Sequence, residues 1–177
     1  MSRIGVITDQ TEPSAEKVTV METVNWVLVA DRQRAEILHA LPASLAPYPA
    51  IQCFIHAEGR MLQQELESDS AGRLQLSGAA RSAVEPHEDR WRVEAQRFAH
   101  EIIAYLDQAR HDRRFDRLIV IAPPPFLGVL RATMPDVLHR TVVHEETVNL
   151  LPLTETERQK RVQEIVTKNA QSTGASA

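Results

Sequence analysis

Phe115 to Arg131, FDRLIVIAPPPFLGVLR, is the stretch that decides the fold, because it reads as a buried strand running straight into a helix opened by prolines. Arg117 to Ala122 carries Leu118, Ile119, Val120 and Ile121 without a polar break, the pattern of a strand covered on both faces. Pro123 to Pro125 then end it, since proline has no N–H to give to a ladder. The fixed φ of proline suits a helix start, so a helix is predicted from Phe126 to Met134. Gly128 falls inside that helix, where it is expected to permit close packing rather than to cradle a phosphate.

Working outward, VNWVLVA from Val24 is a nearly continuous apolar run and predicts a second central strand. Asp31 to Gln33 make a tight turn, and Arg34 to Ala40 return with a period of two, Ala35, Ile37 and His39 on one face and Glu36 and Leu38 on the other. Prolines at 42, 47 and 49 mark a loop before a third strand at Ile51 to Ile55. A short helix at Arg60 to Glu67 and a strand at Arg73 to Leu76 follow as weaker readings. From Glu88 the period changes: Trp91, Ala95, Phe98, Ile102, Leu106 and Ala109 recur at steps of three and four, one apolar stripe along a long helix. Its other face alternates in charge through Arg92, Glu94, Arg97, Glu101 and Asp107, as a solvated face does. Arg140 to His144 predicts another strand, and Thr154 with Glu157 form a T-x-x-E capping box before a helix reaching Lys168.

This element order predicts an α/β fold: a single domain with a mixed β-sheet, an amino-terminal hairpin, and helices packed on the sheet faces. The domain is expected over residues 23–169. Residues 1–22 precede it as an edge strand at Ile4 to Ile7 or a loose tail, with Met21 as an alternative start, and residues 170–177 form a disordered tail.

Composition narrows the function classes. At 177 residues and 43 % hydrophobic, the chain supports one substantial core. A net charge of -4 supplies no global cationic field, so a nucleic acid would have to bind a local patch. From Arg81 to Arg117 eight arginines face eight acids and cancel. No apolar run suits a membrane span or a signal peptide, which points to a cytoplasmic protein with no membrane contact. The single cysteine, Cys53, excludes an internal disulfide and, within the apolar run IQCFI, reads as an inert core residue.

The loop SGAARSAVEPHED before the long helix concentrates Gly78, Arg81, Ser82, Glu85 and His87 and has no apolar periodicity of its own. Arg81 is suited to clamp a phosphate or carboxylate, with Ser82 and Glu85 beside it as binding residues. The bland reading is a helix entry, with Pro86 in the first turn and Glu85 at the positive helix end. Ser82, Glu85 and His87 are also the catalytic candidates, as a hydrolase trio, but no G-x-S-x-G elbow accompanies them. The histidines show no metal-ligand spacing, and no nucleotide motif occurs, so neither a metal nor a cofactor is expected. Asp31 and Arg32 close the hairpin. If the carboxyl ends of the two central strands share an edge, Asp31 and Pro123 border one crevice with Arg131 nearby.

Four segments in order carry a resemblance to a known family: WVLVADRQRAEIL at Trp26 to Leu38, RSAVEP at Arg81 to Pro86, RFAHEIIAYL at Arg97 to Leu106, and the opening stretch. Over residues 24 to 145 the chain resembles the bacterial host attachment protein family. That resemblance implies a role in attachment to host cells, exerted indirectly by a chain with no export signal. The family in turn looks like the middle domain of archaeal and eukaryotic class-one release factors and of Pelota, which implies contact with RNA or the ribosome. The release-factor loop carries Gly-Gly-Gln at this place. Here Ser77, Gly78, Ala79 and Ala80 stand there without a glutamine, which argues against peptidyl-tRNA hydrolysis and leaves docking open. The resulting expectation is a non-enzymatic binding protein whose partner is RNA, the ribosome or another protein. A small hydrolase and a homo-oligomeric structural protein are the alternatives.

Overall fold

The structure, a computed structural model, describes residues 23–42, 45–57 and 85–174, with the backbone alone at 85–89 and 172–174. The predicted segments at residues 1–22, 60–67 and 73–76 lie outside these. Among the described residues the sheet has five strands: β1 (Asn25–Ala30), β2 (Arg34–Ala40), β3 (Ala50–Ile55), β4 (Arg117–Ile121) and β5 (Val142–Glu146). The helices are α1 (Glu85–His111), α2 (Pro124–Thr133), α3 (Asp136–His139) and α4 (Glu155–Gly174).

Strand order is β3-β2-β1-β4-β5. β1 pairs antiparallel with β2 and parallel with β4, in the register Trp26 with Leu118 and Leu28 with Val120. β4 pairs parallel with β5, so the sheet is mixed, as the hairpin followed by strand–helix–strand units requires. The unbroken apolar runs are explained by the two cores. Trp26, Leu28, Ala30, Leu118 and Val120 point into one, with Ala95, Phe98, Ile102 and Leu106 of α1 and Phe126, Leu127 and Leu130 of α2. Val27, Val29, Ile119 and Ile121 point into the other, with Leu150 and Leu151 of the connection after β5 and Val162 of α4. Because successive strand residues alternate faces, a strand sandwiched between helix layers has no position left for a polar side chain. β2 shares this position, since Ala35 and Ile37 enter the first core while Leu38 and Ala40 enter the second.

Boundaries differ from expectation for local reasons. α2 starts at Pro124, two residues early, because prolines in the first turn lose no helical bond, and the Leu127 N–H donates to the Pro123 carbonyl at 2.9 Å. α1 starts at Glu85 instead of Glu88, and α4 runs past Lys168 to Gly174. The capping box forms as read: the Thr154 N–H donates to Glu157 Oε2 at 3.1 Å and the Glu157 N–H to Thr154 Oγ1 at 3.4 Å. The strand expected at Arg140 begins at Val142, because Arg140 caps α3, a helix too short to show a period.

Two side chains overturn their expected settings. Cys53 is exposed, not core. It sits opposite Glu36 on β3, the last strand of the order, where Phe54 supplies the buried position. Desolvation and then the Glu36 carboxylate push its thiol up, away from the reactive thiolate. Gly128 does not permit close packing, because a Cβ built there would have nothing within 4 Å. A mid-helix glycine in open space costs backbone entropy with no compensating contact. Gly128→Ala is therefore expected to raise stability by about 0.5–1 kcal/mol. Urea denaturation checks this, and an unchanged or lower midpoint would contradict it.

Candidate functional site

Parallel pairing brings the carboxyl ends of β1 and β4 to one edge of the sheet, and the chain leaving each end builds a wall of a crevice of about 340 Å³. Asp31, Arg32 and Gln33 form the first wall. Asp31 holds the turn itself, with Oδ1 accepting from the N–H groups of Gln33 at 2.8 Å and Arg34 at 3.0 Å. Its Oδ2 is thereby turned to Asn149, whose Nδ2 lies 3.5 Å away on the connection between β5 and α4. Pro123, Pro125 and Phe126 at the β4–α2 junction form the second wall, and Asn149 with Pro152 the third.

Trp91 completes the crevice from α1. Its indole Nε1 is buried and has no hydrogen-bond partner among the described residues. Indole N–H can only donate, so this buried nitrogen has a hydrogen bond unmade among the described residues. Behind the walls runs a row of stacked rings, His56 on Phe98 at 4.9 Å and Phe98 on Phe126 at 5.9 Å, which ties the turn, α1 and α2 together. His56 also fixes the end of β3. Its N–H donates to the Gln33 carbonyl at 2.7 Å and its Nδ1 lies 3.0 Å from the Arg32 carbonyl. An Nδ1 beside a carbonyl carries the proton, so the second nitrogen, 3.4 Å from Glu94 Oε2, donates there only when the ring is protonated.

The sequence-predicted residues divide into four groups. Asp31 and Arg32 line the crevice together with Pro123. Arg131 does not line it; on α2 it turns to β5 and pairs with Glu145 through both Nε and Nη2. Glu85 and His87 fall in the first turn of α1, where the backbone alone is described. Arg81 and Ser82 lie outside the described residues. Trp91, Asn149, Gln33 and Pro152 were not anticipated as site residues. Trp91 heads the apolar stripe, and that position, one step beyond the helix residues that cover the sheet, was its only signal.

Among the described residues no group of three or more His, Cys, Asp or Glu could hold a metal ion. No described helix is long and apolar enough to cross a membrane. Residues 26–167 match the family model described as "Protein required for attachment to host cells". The chain belongs to this family. The matched span runs from β1 into α4 and contains every residue of the crevice. Comparison with curated proteins gave no match.

The Arg131–Glu145 pair sets a pH dependence. The hydrogen bond from Arg131 holds the Glu145 carboxyl below its ordinary value of 4.5, against an opposing push from burial and with help from the charges of Arg131, His139 and His144. A depressed carboxyl stabilises the fold fully above its unfolded value and loses that contribution as pH falls through the folded one. Glu145→Gln is thus expected to be less stable than the wild type at neutral pH, with the gap closing below pH 4.5. Urea melts across pH check this, and a gap independent of pH would contradict it.

Proposed function

We propose that this member of the host attachment family is a non-enzymatic, cytoplasmic binding domain that contacts RNA of the ribosome at the carboxyl edge of its sheet and affects attachment to host cells indirectly. One observation carries the reading: both ends of the segment holding Arg81 and Ser82 are anchored at the crevice. At one end His56 is bonded to Arg32 and Gln33, which line it. At the other, α1 begins at Glu85 and contributes Trp91 to the wall. The chain between residues 57 and 85 therefore leaves from and returns to the same edge. The crevice beside that segment already offers Arg32 and the aromatic rings of Trp91 and Phe126.

Those chemistries suit single-stranded or looped RNA, where guanidinium groups meet phosphates and aromatic rings stack on bases. A local site is what a chain of net charge -4 needs in order to bind a polyanion. The likeness to release-factor middle domains supports the same direction, because there too the loop ahead of the long helix makes the contact. No glutamine stands at Ser77 to Ala80 and no G-x-S-x-G elbow accompanies Ser82, so the reading includes no hydrolysis.

An affinity pull-down from bacterial lysate, with and without ribonuclease, tests this with wild type, Arg81→Ala and Arg32→Ala. The expected outcome is ribonuclease-sensitive recovery of ribosomal material, several-fold lower for each variant while circular dichroism shows an intact fold. Ribonuclease-resistant recovery of one non-ribosomal protein would replace RNA with a protein partner. Equal recovery by all three forms would remove the site.

A further inference from the structure

The opposite edge of the sheet, where β1 and β4 begin side by side at Asn25 and Arg117, carries a local excess of positive charge. Over residues 110 to 117, RHDRRFDR, four arginines stand against two aspartates, an excess that a count over the whole of α1 hides. The two aspartates are used by the chain itself. Gln108 Nε2 donates to Asp112 Oδ1 at 3.0 Å, and the Val24 N–H donates to Asp116 Oδ2 at 2.8 Å, which pins the start of β1. Arg110 is spent on Asp107 at 2.9 Å. Arg113, Arg114 and Arg117 are exposed.

Two features separate these arginines from ordinary surface charge. α1 ends in a turn in which the Arg113 N–H donates to the Arg110 carbonyl and the Arg114 N–H to the Ala109 carbonyl, both at 2.9 Å. That closure needs a left-handed residue at position 113, and Arg113 has a φ of 55°. Glycine would hold this conformation without strain, whereas a Cβ there is costly. The backbone favours glycine, so the arginine is accounted for by its side chain. Arg114 is the second feature. Its guanidinium carbon lies over the rings of Trp26 at 5.2 Å and Tyr105 at 5.8 Å, and Nη1 donates to the Tyr105 hydroxyl at 3.3 Å. Trp26 is buried and stacked on Phe115 at 4.8 Å, so this platform belongs to the core. An exposed cation is thus held in place, aromatic on one side and open to solvent on the other.

We propose that Arg113, Arg114 and Arg117 form a contact for single-stranded nucleic acid, with a base stacked on the outer side of the Arg114 guanidinium and the flanking phosphates on Arg113 and Arg117. Guanidinium planes stack on unpaired bases, and a fixed one loses little freedom in doing so. An acidic peptide would use the charges alone and would gain nothing from a cation positioned over rings. The contact lies at the other edge of the sheet from the crevice and does not rest on the reading given for that crevice.

Fluorescence anisotropy of a labelled oligouridylate with the full chain, titrated at several salt concentrations, provides the test. Wild type is expected to bind saturably and to weaken as salt rises. Arg117→Gln is expected to reduce the slope of log affinity against log salt by about 0.7, the value for one phosphate contact on a single strand. Arg114→Lys keeps the charge and the slope but loses the stack, so binding is expected to fall about fivefold or more. Arg113→Gly is expected to weaken binding several-fold while holding or raising the urea midpoint, a split that a merely structural role would not produce. Arg32→Ala, at the crevice, is measured beside them. Losses at Arg113, Arg114 and Arg117 support the proposal whether or not Arg32→Ala also loses affinity; a loss confined to Arg32→Ala would overturn it. Absence of saturable binding by the wild type would overturn it too, as would competition by polyglutamate equal to that by unlabelled oligouridylate, which would assign the edge to an acidic peptide.

Discussion

Two strands, β1 and β4, lie side by side, parallel and covered on both faces, and most of the molecule follows from that pairing. A parallel neighbour cannot be reached by a tight turn. The chain between them therefore makes its hairpin, adds β3 and returns through α1, whose apolar stripe closes one face of the same two strands. The other face must also be closed, and the segment from Val148 into α4 does this with Leu150, Leu151 and Val162. Parallelism further sets both carboxyl ends on one edge, so the hairpin turn and the β4–α2 junction become neighbours across 92 residues of sequence, from Asp31 to Pro123. The crevice is a by-product of the sheet before it is anything else.

Local chemistry made much of this legible. The run Leu118 to Ile121 and the run Trp26 to Ala30 could only be strands buried on both sides, and the three-four spacing from Trp91 to Ala109 could only be a helix with one covered face. The Asp31 turn and the Thr154–Glu157 box are set by side chains bonding to nearby backbone, so they too are written in short stretches of sequence. Failures came where a residue's setting depends on something distant. IQCFI looks like core, yet an outer strand buries fewer of its positions than a central one, and Cys53 falls outside. Gly128 shows no neighbour in sequence that would tell close packing from empty space. Strand order itself depends on which runs meet, which composition does not encode.

The site was legible only in part, for the same reason. Asp31 and Pro123 were linked by the rule that α/β sheets bind ligands where strands end, but the rule does not say which other elements overhang that edge. Trp91 was identified correctly as apolar and on the covered face of α1. Periodicity gives a residue's angle around the helix and not how far the helix extends beyond the sheet, so its place in the crevice could not be read. Asn149 lies in a connection with no pattern at all; only the fold brings it to Asp31.

Electrostatics then sorts the arginines by availability. Arg131 is bound to Glu145, whose carboxyl is mostly shielded from solvent at 18 % exposure. To serve an external phosphate, Arg131 would have to give up that partner and leave a partly buried carboxylate uncompensated, a cost that exceeds what an exposed cation gains from one phosphate contact. Arg158 is likewise committed, buried between Glu36 and Glu155 and bonded to the Leu153 carbonyl at 3.3 Å. These two pairs each join a helix to the sheet, Arg131 of α2 to Glu145 of β5 and Arg158 of α4 to Glu36 of β2, one on each helix layer. Each arginine spent on the chain's own carboxylates leaves fewer to face outward, so in a chain of net charge -4 any contact with a polyanion is limited to a local patch.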